Sequence, residues 1–174
     1  MPIQTFNFFT DGLAPGTRQI TEYTVDTNLD DDDLWIPFAD GAWFQPCQFN
    51  VSTGGFTVLL KANPGAQIPA HYHSTSVIGY CLRGTWRYLE HDWIAKPGSF
   101  IYEPAGEAHT LIVDEDAVEP MITLFVVTGG FIYLNKSEDG QMIAYDDGFT
   151  ILEIARAHYK SIGKDTALLD RMIR

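Results

Sequence analysis

The feature that most constrains this chain is its punctuation. Between residues 55 and 146, short runs rich in Val, Ile, Phe, Tyr and Trp are separated every eight to twelve residues or so by Gly, Pro, Asn and Asp. That rhythm is the signature of an all-β sandwich or barrel. The runs predict strands over GFTVLLKA (55–62), SVIGYCLRG (76–84), TWRYLEH (85–91), SFIYE (99–103), HTLIV (109–113), MITLFVV (121–127), GFIYLN (130–135) and QMIAYD (141–146). The segments NPGAQIP, AKPG, EPAGE, VEP and KSEDG carry turn chemistry and predict the breaks.

The two ends read differently. Residues 1–34 are polar and irregular, with an acidic run at Asp30–Asp33 that reads as a solvated loop, because consecutive carboxylates repel and converge poorly on a cation. After residue 148 the apolar spacing becomes helical, with Ile151, Ile154, Ala155 and His158 on one face, then Leu168, Leu169 and Met172. Asp165 is placed to cap the second helix. No repeat or linker divides the 174 residues. The expectation is one domain: an extension over 1–34, a barrel over 35–148 and a helical tail over 149–174.

Charge and composition restrict the function classes. The formal net charge of −12 disfavours nucleic acid and anionic membranes as partners. MPIQTFNFFTDG has neither a basic leader nor a long apolar core, and MITLFVV is too short to span a bilayer. Cys47 and Cys81 suit free thiols in a reducing compartment, so a cytoplasmic location is expected.

The chemistry concentrates in three of the five histidines. In an extended strand, residues i and i+2 project to the same face, so His71 and His73 can aim both rings at one point. His109 follows the EPAGEA turn and opens an apolar strand that can bring a third ring there. Three neutral imidazoles suit Fe(II), Zn, Cu, Ni or Mn, and spacing alone does not choose among them. An HxH pair by itself is weak evidence, but here it sits inside a fixed glycine and proline frame.

That frame resembles the cupin superfamily. Gly65, His71, His73 and Gly84 stand at the spacing of its first motif, and Gly98, Pro104, Gly106 and His109 at that of its second. The resemblance implies a double-stranded β-helix, a jelly-roll-like barrel, with the histidines as metal ligands. Two departures are informative. Where the first motif usually carries a Glu, this chain has Val77 and Ile78, and where the second often carries an Asn it has Val113. The resemblance therefore implies a centre of His71, His73 and His109 without the usual carboxylate. Losing that carboxylate adds one unit of net charge at the ion and frees a coordination position.

Within the superfamily the chain looks similar to three-histidine Fe(II) dioxygenases, the groups that cleave acetylacetone and 2,4'-dihydroxyacetophenone. The second group is the nearer in LWIPFADGAWFQPCQFNVSTGGFTVLLKANPG, in YEPAGEAH and in the tail after Tyr145–Asp146. This likeness implies Fe(II), with Zn, Ni or Mn as ions a purified sample can carry. It further implies O₂ and a small ketone or β-diketone as co-substrates, C–C cleavage next to a carbonyl, and a homodimer or homotetramer.

Other side chains qualify for roles around this centre. Strand alternation from His73 turns Val77, Cys81 and Arg83 inward, and Arg83 is placed to offset a substrate anion. Glu103 flanks the PAG turn within reach of a ligand ring or substrate, and of Glu90 and His91 only one can face inward. Glu103, Arg83 and Glu90 are thus the catalytic candidates, and Tyr80, Trp86, Tyr88, Tyr102, Phe125 and Tyr133 the aromatic lining. Two competing readings keep the fold: a metal-dependent isomerase or lyase, and a non-catalytic module that senses metal or small ligands.

Overall fold

The computed structural model describes residues 22–135 and 140–174. The expectations for residues 1–21 and for most of the KSEDG turn lie outside the described residues. Within them, eleven strands run in order: β1 (Ile36–Ala39), β2 (Ala42–Asn50), β3 (Gly55–Ala62), β4 (Gln67–His73), β5 (Val77–Arg83), β6 (Arg87–Tyr88), β7 (Phe100–Glu103), β8 (His109–Ile112), β9 (Met121–Val127), β10 (Phe131–Leu134) and β11 (Met142–Asp146). Helices α1 (Gly148–Ser161) and α2 (Ala167–Asp170) follow. The strands form two antiparallel sheets, ordered β1-β2-β3-β9-β5-β7 and β11-β10-β4-β8-β6. This is the all-β architecture with C-terminal helices that the punctuation predicts.

Alternation sets what faces the interior. Along β5 and β7, Val77, Gly79, Cys81, Ile101 and Glu103 are buried, while Ile78, Tyr80, Phe100 and Tyr102 are exposed. The interior is a continuous apolar cluster that includes Phe44, Phe49, Trp86, Tyr88, Met121 and Phe125. Each large side chain fully removed from water there contributes roughly 1.5–3 kcal/mol. The outer face of the larger sheet is covered as well, where Trp35, Leu59 and Ile122 pack with Leu29 and Trp43. The segment before β1 is tied down by hydrogen bonds from Trp35 Nε1 to Leu29 O (3.3 Å) and from Gln45 Nε2 to Asn28 O (3.0 Å). The acidic run itself forms a short 3₁₀ turn, Asp32–Leu34, capped by Asp31.

Several boundaries differ from expectation. The NPGAQIP break ends early, and β4 starts at Gln67. Pro69, which has no amide proton to offer a ladder, falls where the β4–β8 register shifts between Ile68 and His71. Residues 36–50, outside the expected strands, form β1 and β2. The expected strand over 85–91 shrinks to β6, because Trp86 bridges Ala95 on another segment and the chain turns after Tyr88.

Helix α1 opens with a capping box. Asp147 accepts from the amides of Phe149 and Thr150, while Thr150 Oγ1 accepts from the Asp147 amide. It packs against β1, β2, β3 and β11, burying Ile151, Leu152, Ala155 and Tyr159. Ile154 and His158 lie at the margin of that face, one position off the expected stripe. The cap of α2 is Thr166, not Asp165, although Asp165 Oδ1 accepts from the Ala167 amide at 2.9 Å. No described helix is long and apolar enough to cross a membrane.

Candidate metal centre

Strand β4 presents His71 and His73 to one face, as two-residue periodicity requires. Strand β8 places His109 directly opposite His71. The register shift in β4 has a consequence here. It lets Ile68 and His71, three residues apart, both line the interior cavity. One ligand atom from each of His71, His73 and His109 lies within 4.8 Å of the others, and the residues are 2%, 3% and 2% exposed.

The frame residues serve this geometry. Gly65, Gly84, Gly98 and Gly106 all take positive φ, which favours glycine. At Gly84 a Cβ would also lie 2.7 Å from the Pro120 carbonyl, so no other residue fits without moving backbone. The Gly106 amide donates to the His73 carbonyl at 2.9 Å, locking the turn before β8 onto the end of β4.

Two of the rings, His71 and His109, are held by neighbours stacked on them. His71 Nδ1 lies 2.7 Å from the Pro69 carbonyl. A carbonyl only accepts, so Nδ1 carries the proton and Nε2 keeps its lone pair for a metal. Phe131 stacks on His71 with ring centroids 4.0 Å apart and planes 17° from parallel. Tyr88 stacks on His109 at 3.9 Å and 15°. Burial pushes His71 well below the ordinary imidazole range and His109 down to about 4, so both rings are neutral at pH 7.

The catalytic candidates separate. Glu103 is 3% exposed, and its Oε1 accepts from the Tyr88 hydroxyl at 2.6 Å. Its Oε2 lies 3.1 Å from His73 Nε2 and 3.6 Å from His109 Nε2. Burial opposes ionisation of Glu103, but the His73 ring, the Tyr88 hydroxyl and His109 outweigh it and lower its pKa.

Arg83 does not face the centre. The β5–β9 register shifts between Cys81 and Arg83, which breaks the alternation and turns the guanidinium outward. There it is 40% exposed and lies 3.4 Å from Asp30. Glu90 is also outside, its carboxylate accepting from the Thr110 amide (2.8 Å) and hydroxyl (3.0 Å) and so bracing β8 from behind. His91 lies near the surface, beside Glu107 and stacked on Trp93. Cys47 and Cys81 are free thiols, and Cys81 is an ordinary small core residue.

Of the expected aromatic lining, Tyr88 and Phe125 face the cavity. Tyr80 and Tyr102 lie on the exposed outer face, and Trp86 sits deeper, donating to Thr123 Oγ1 at 2.8 Å. Tyr133 donates to Asp146 at 2.9 Å. Sequence reasoning missed Phe38, Phe44, Phe56 and Phe131, which with Val58, Leu60 and Val127 make the cavity walls almost wholly apolar. Two of those phenylalanines, Phe38 and Phe44, come from β1 and β2, which lie outside the expected strands.

Two facing antiparallel sheets around a buried three-histidine cluster define a cupin-type β-barrel. The chain belongs to the ChrR cupin-like domain family, which residues 24–132 match. A solved RmlC-like cupin protein from Ralstonia eutropha JMP134 is 31% identical, with 81% of this chain and 92% of that one covered and a TM-score of 0.71. A protein of unknown function with a cupin-like fold from the same organism is 22% identical, with coverage of 71% and 75% and a TM-score of 0.67. An acetylacetone dioxygenase from Acinetobacter johnsonii is 15% identical, with coverage of 79% and 96% and a TM-score of 0.65. No curated protein matches the sequence.

The donor set fits a divalent ion. His109 Nε2 is buried without a hydrogen-bond partner, and the three rings come from two rigid strands. Orphaned buried nitrogens are rare unless something occupies the point they face. All three donors are imidazoles, the ligand type shared by Fe, Zn, Ni and Cu sites.

Proposed function

We propose that this protein is an Fe(II)-dependent dioxygenase that cleaves a C–C bond next to a carbonyl in a small, apolar ketone or β-diketone, with O₂ as co-substrate. The observation that carries this reading is a cluster of three buried imidazoles, two of which, His71 and His73, line an apolar cavity. The likeness to the acetylacetone dioxygenase supports it at the level of fold.

His71, His73 and His109 would hold the ion. When bound, it supplies a Lewis acid for the substrate oxygen and a centre for reaction with O₂. The chain's own part is arrangement. Phe131 and Tyr88 clamp two of the rings through stacking, and Pro69 fixes the tautomer of one. Phe44, Phe56, Val58 and Phe125 exclude water and favour an apolar substrate body, while a sugar would find few polar partners there. Glu103, the acidic group beside the histidines, is placed to hold negative charge at the centre.

The test is direct. Protein purified without oxygen and loaded with Fe(II) should consume O₂ with members of a panel of β-diketones and hydroxyacetophenones. Stoichiometric metal without O₂ uptake across the panel would refute the dioxygenase in favour of a sensing module or a non-oxidative enzyme.

A further inference from the structure

The strand paired with β5 places a carboxylate opposite the position where the first motif lacks one. Val77 stands where the four-ligand pattern carries its Glu, and in the antiparallel β5–β7 pair its Cα partner is Glu103. Directly opposed residues project from the same face of a sheet, with Cβ atoms about 4.5–5.5 Å apart. A side chain at 103 therefore enters the interior beside the one at 77 and at the same height along the barrel. Both positions are buried, Val77 at 0% and Glu103 at 3% exposure.

The carboxylate is also aimed. Tyr88 takes Oε1, while Oε2 has no hydrogen-bond partner and faces the histidines. At 3.1 Å from His73 Nε2 the separation would suit a hydrogen bond, but the ring N–H direction misses the oxygen, which leaves Oε2 orphaned. A buried anionic oxygen without a donor is costly unless a cation sits beside it. Two ligands of one ion, each at about 2.1 Å and separated by angles of about 90–110°, lie roughly 3.0–3.4 Å apart. The separation of 3.1 Å from Glu103 Oε2 to His73 Nε2 falls inside that range, and the 3.6 Å to His109 Nε2 lies just beyond it.

We propose that Glu103 is the fourth metal ligand, bound through Oε2, so that the centre is a three-histidine, one-carboxylate site whose carboxylate has moved across a strand pair. Tyr88 holds the carboxylate's other oxygen and sets its approach. In an octahedral site the chain then fills four positions and leaves two for substrate and O₂. This rests on the metal-centre reading of the proposed function and adds to it the net charge and the number of open positions.

The experiment begins with the wild-type protein loaded with Zn(II) or Fe(II) and crystallised. A Glu103 Oε2–metal distance of about 2.0–2.2 Å is the expected result. Metal bound by three nitrogens with Oε2 beyond 3 Å would overturn the fourth ligand and leave the three-histidine reading standing. No stoichiometric metal at all would overturn both.

Variants give an independent readout in Zn(II) affinity, measured by chelator competition. Glu103→Gln, which keeps the shape and the contact with Tyr88, should weaken binding by about 100-fold or more, at or beyond the upper end for losing a supporting group. A loss below about 10-fold would overturn the proposal. In Val77→Glu/Glu103→Val the carboxylate returns across the strand pair. Recovery of most of the lost affinity in that folded double variant is expected, and a supporting role through the His73 ring alone would not produce it.

Discussion

Tyr88 lies flat against His109 with ring centroids 3.9 Å apart and donates its hydroxyl proton to Glu103 at 2.6 Å. One fully buried side chain thus orients both a ligand ring and the acidic group beside it. Tyr88→Phe keeps the stack and deletes the donor, leaving a buried carboxylate oxygen unsatisfied. The expected cost is about 1–3 kcal/mol in urea unfolding of the metal-free protein. A change below about 0.5 kcal/mol would show that the hydroxyl carries no weight.

His109→Ala should abolish stoichiometric metal, because it removes the one imidazole that reaches the centre from β8. The variant purified in parallel with wild type and assayed by elemental analysis should contain less than about a tenth of the metal. Full retention would refute the ligand assignment.

Metal-free protein should lose stability as the pH falls from about 6.5 to about 4. Burial chiefly holds His109 at about 4 in the folded chain, with Glu103 and Glu90 raising it and His73 and His91 lowering it. The unfolded chain, with the ordinary value near 6.5, takes up its proton first, so the penalty is absent above that pH and complete below about 4. Its full size is on the order of 3 kcal/mol, and burial of His71 acts in the same direction. Chelator-treated wild type should show this slope in denaturant midpoints, and His109→Gln should flatten it.

Arg83→Ala should leave metal content and affinity unchanged. Its guanidinium faces Asp30 across the exposed surface, and such pairs contribute about 0–1 kcal/mol. A tenfold change in Zn(II) affinity would show that the bulge in β5 does not separate it from the centre.

The legible and illegible parts of this protein divide along a physical line. The amino-acid sequence by itself determined what depends on short spacing. Two histidines at i and i+2 must share a strand face, and the frame glycines mark the turns that reverse the chain around them. Helical spacing after residue 148 also marks α1, although the buried face is offset by one position.

Tertiary structure decided what depends on phase and partner. A single register shift between Cys81 and Arg83 inverts the side on which Arg83 falls, and a similar shift at Pro69 keeps Ile68 and His71 on the same one. Alternation read along one strand carries no trace of either shift, because a bulge is set by the strand opposite. The pairing of Val77 with Glu103, twenty-six positions apart in sequence, is likewise written in the β5–β7 register. The apparent gap in the first motif is a local fact about the sequence, and the acid that stands across from it is a fact about the sheet.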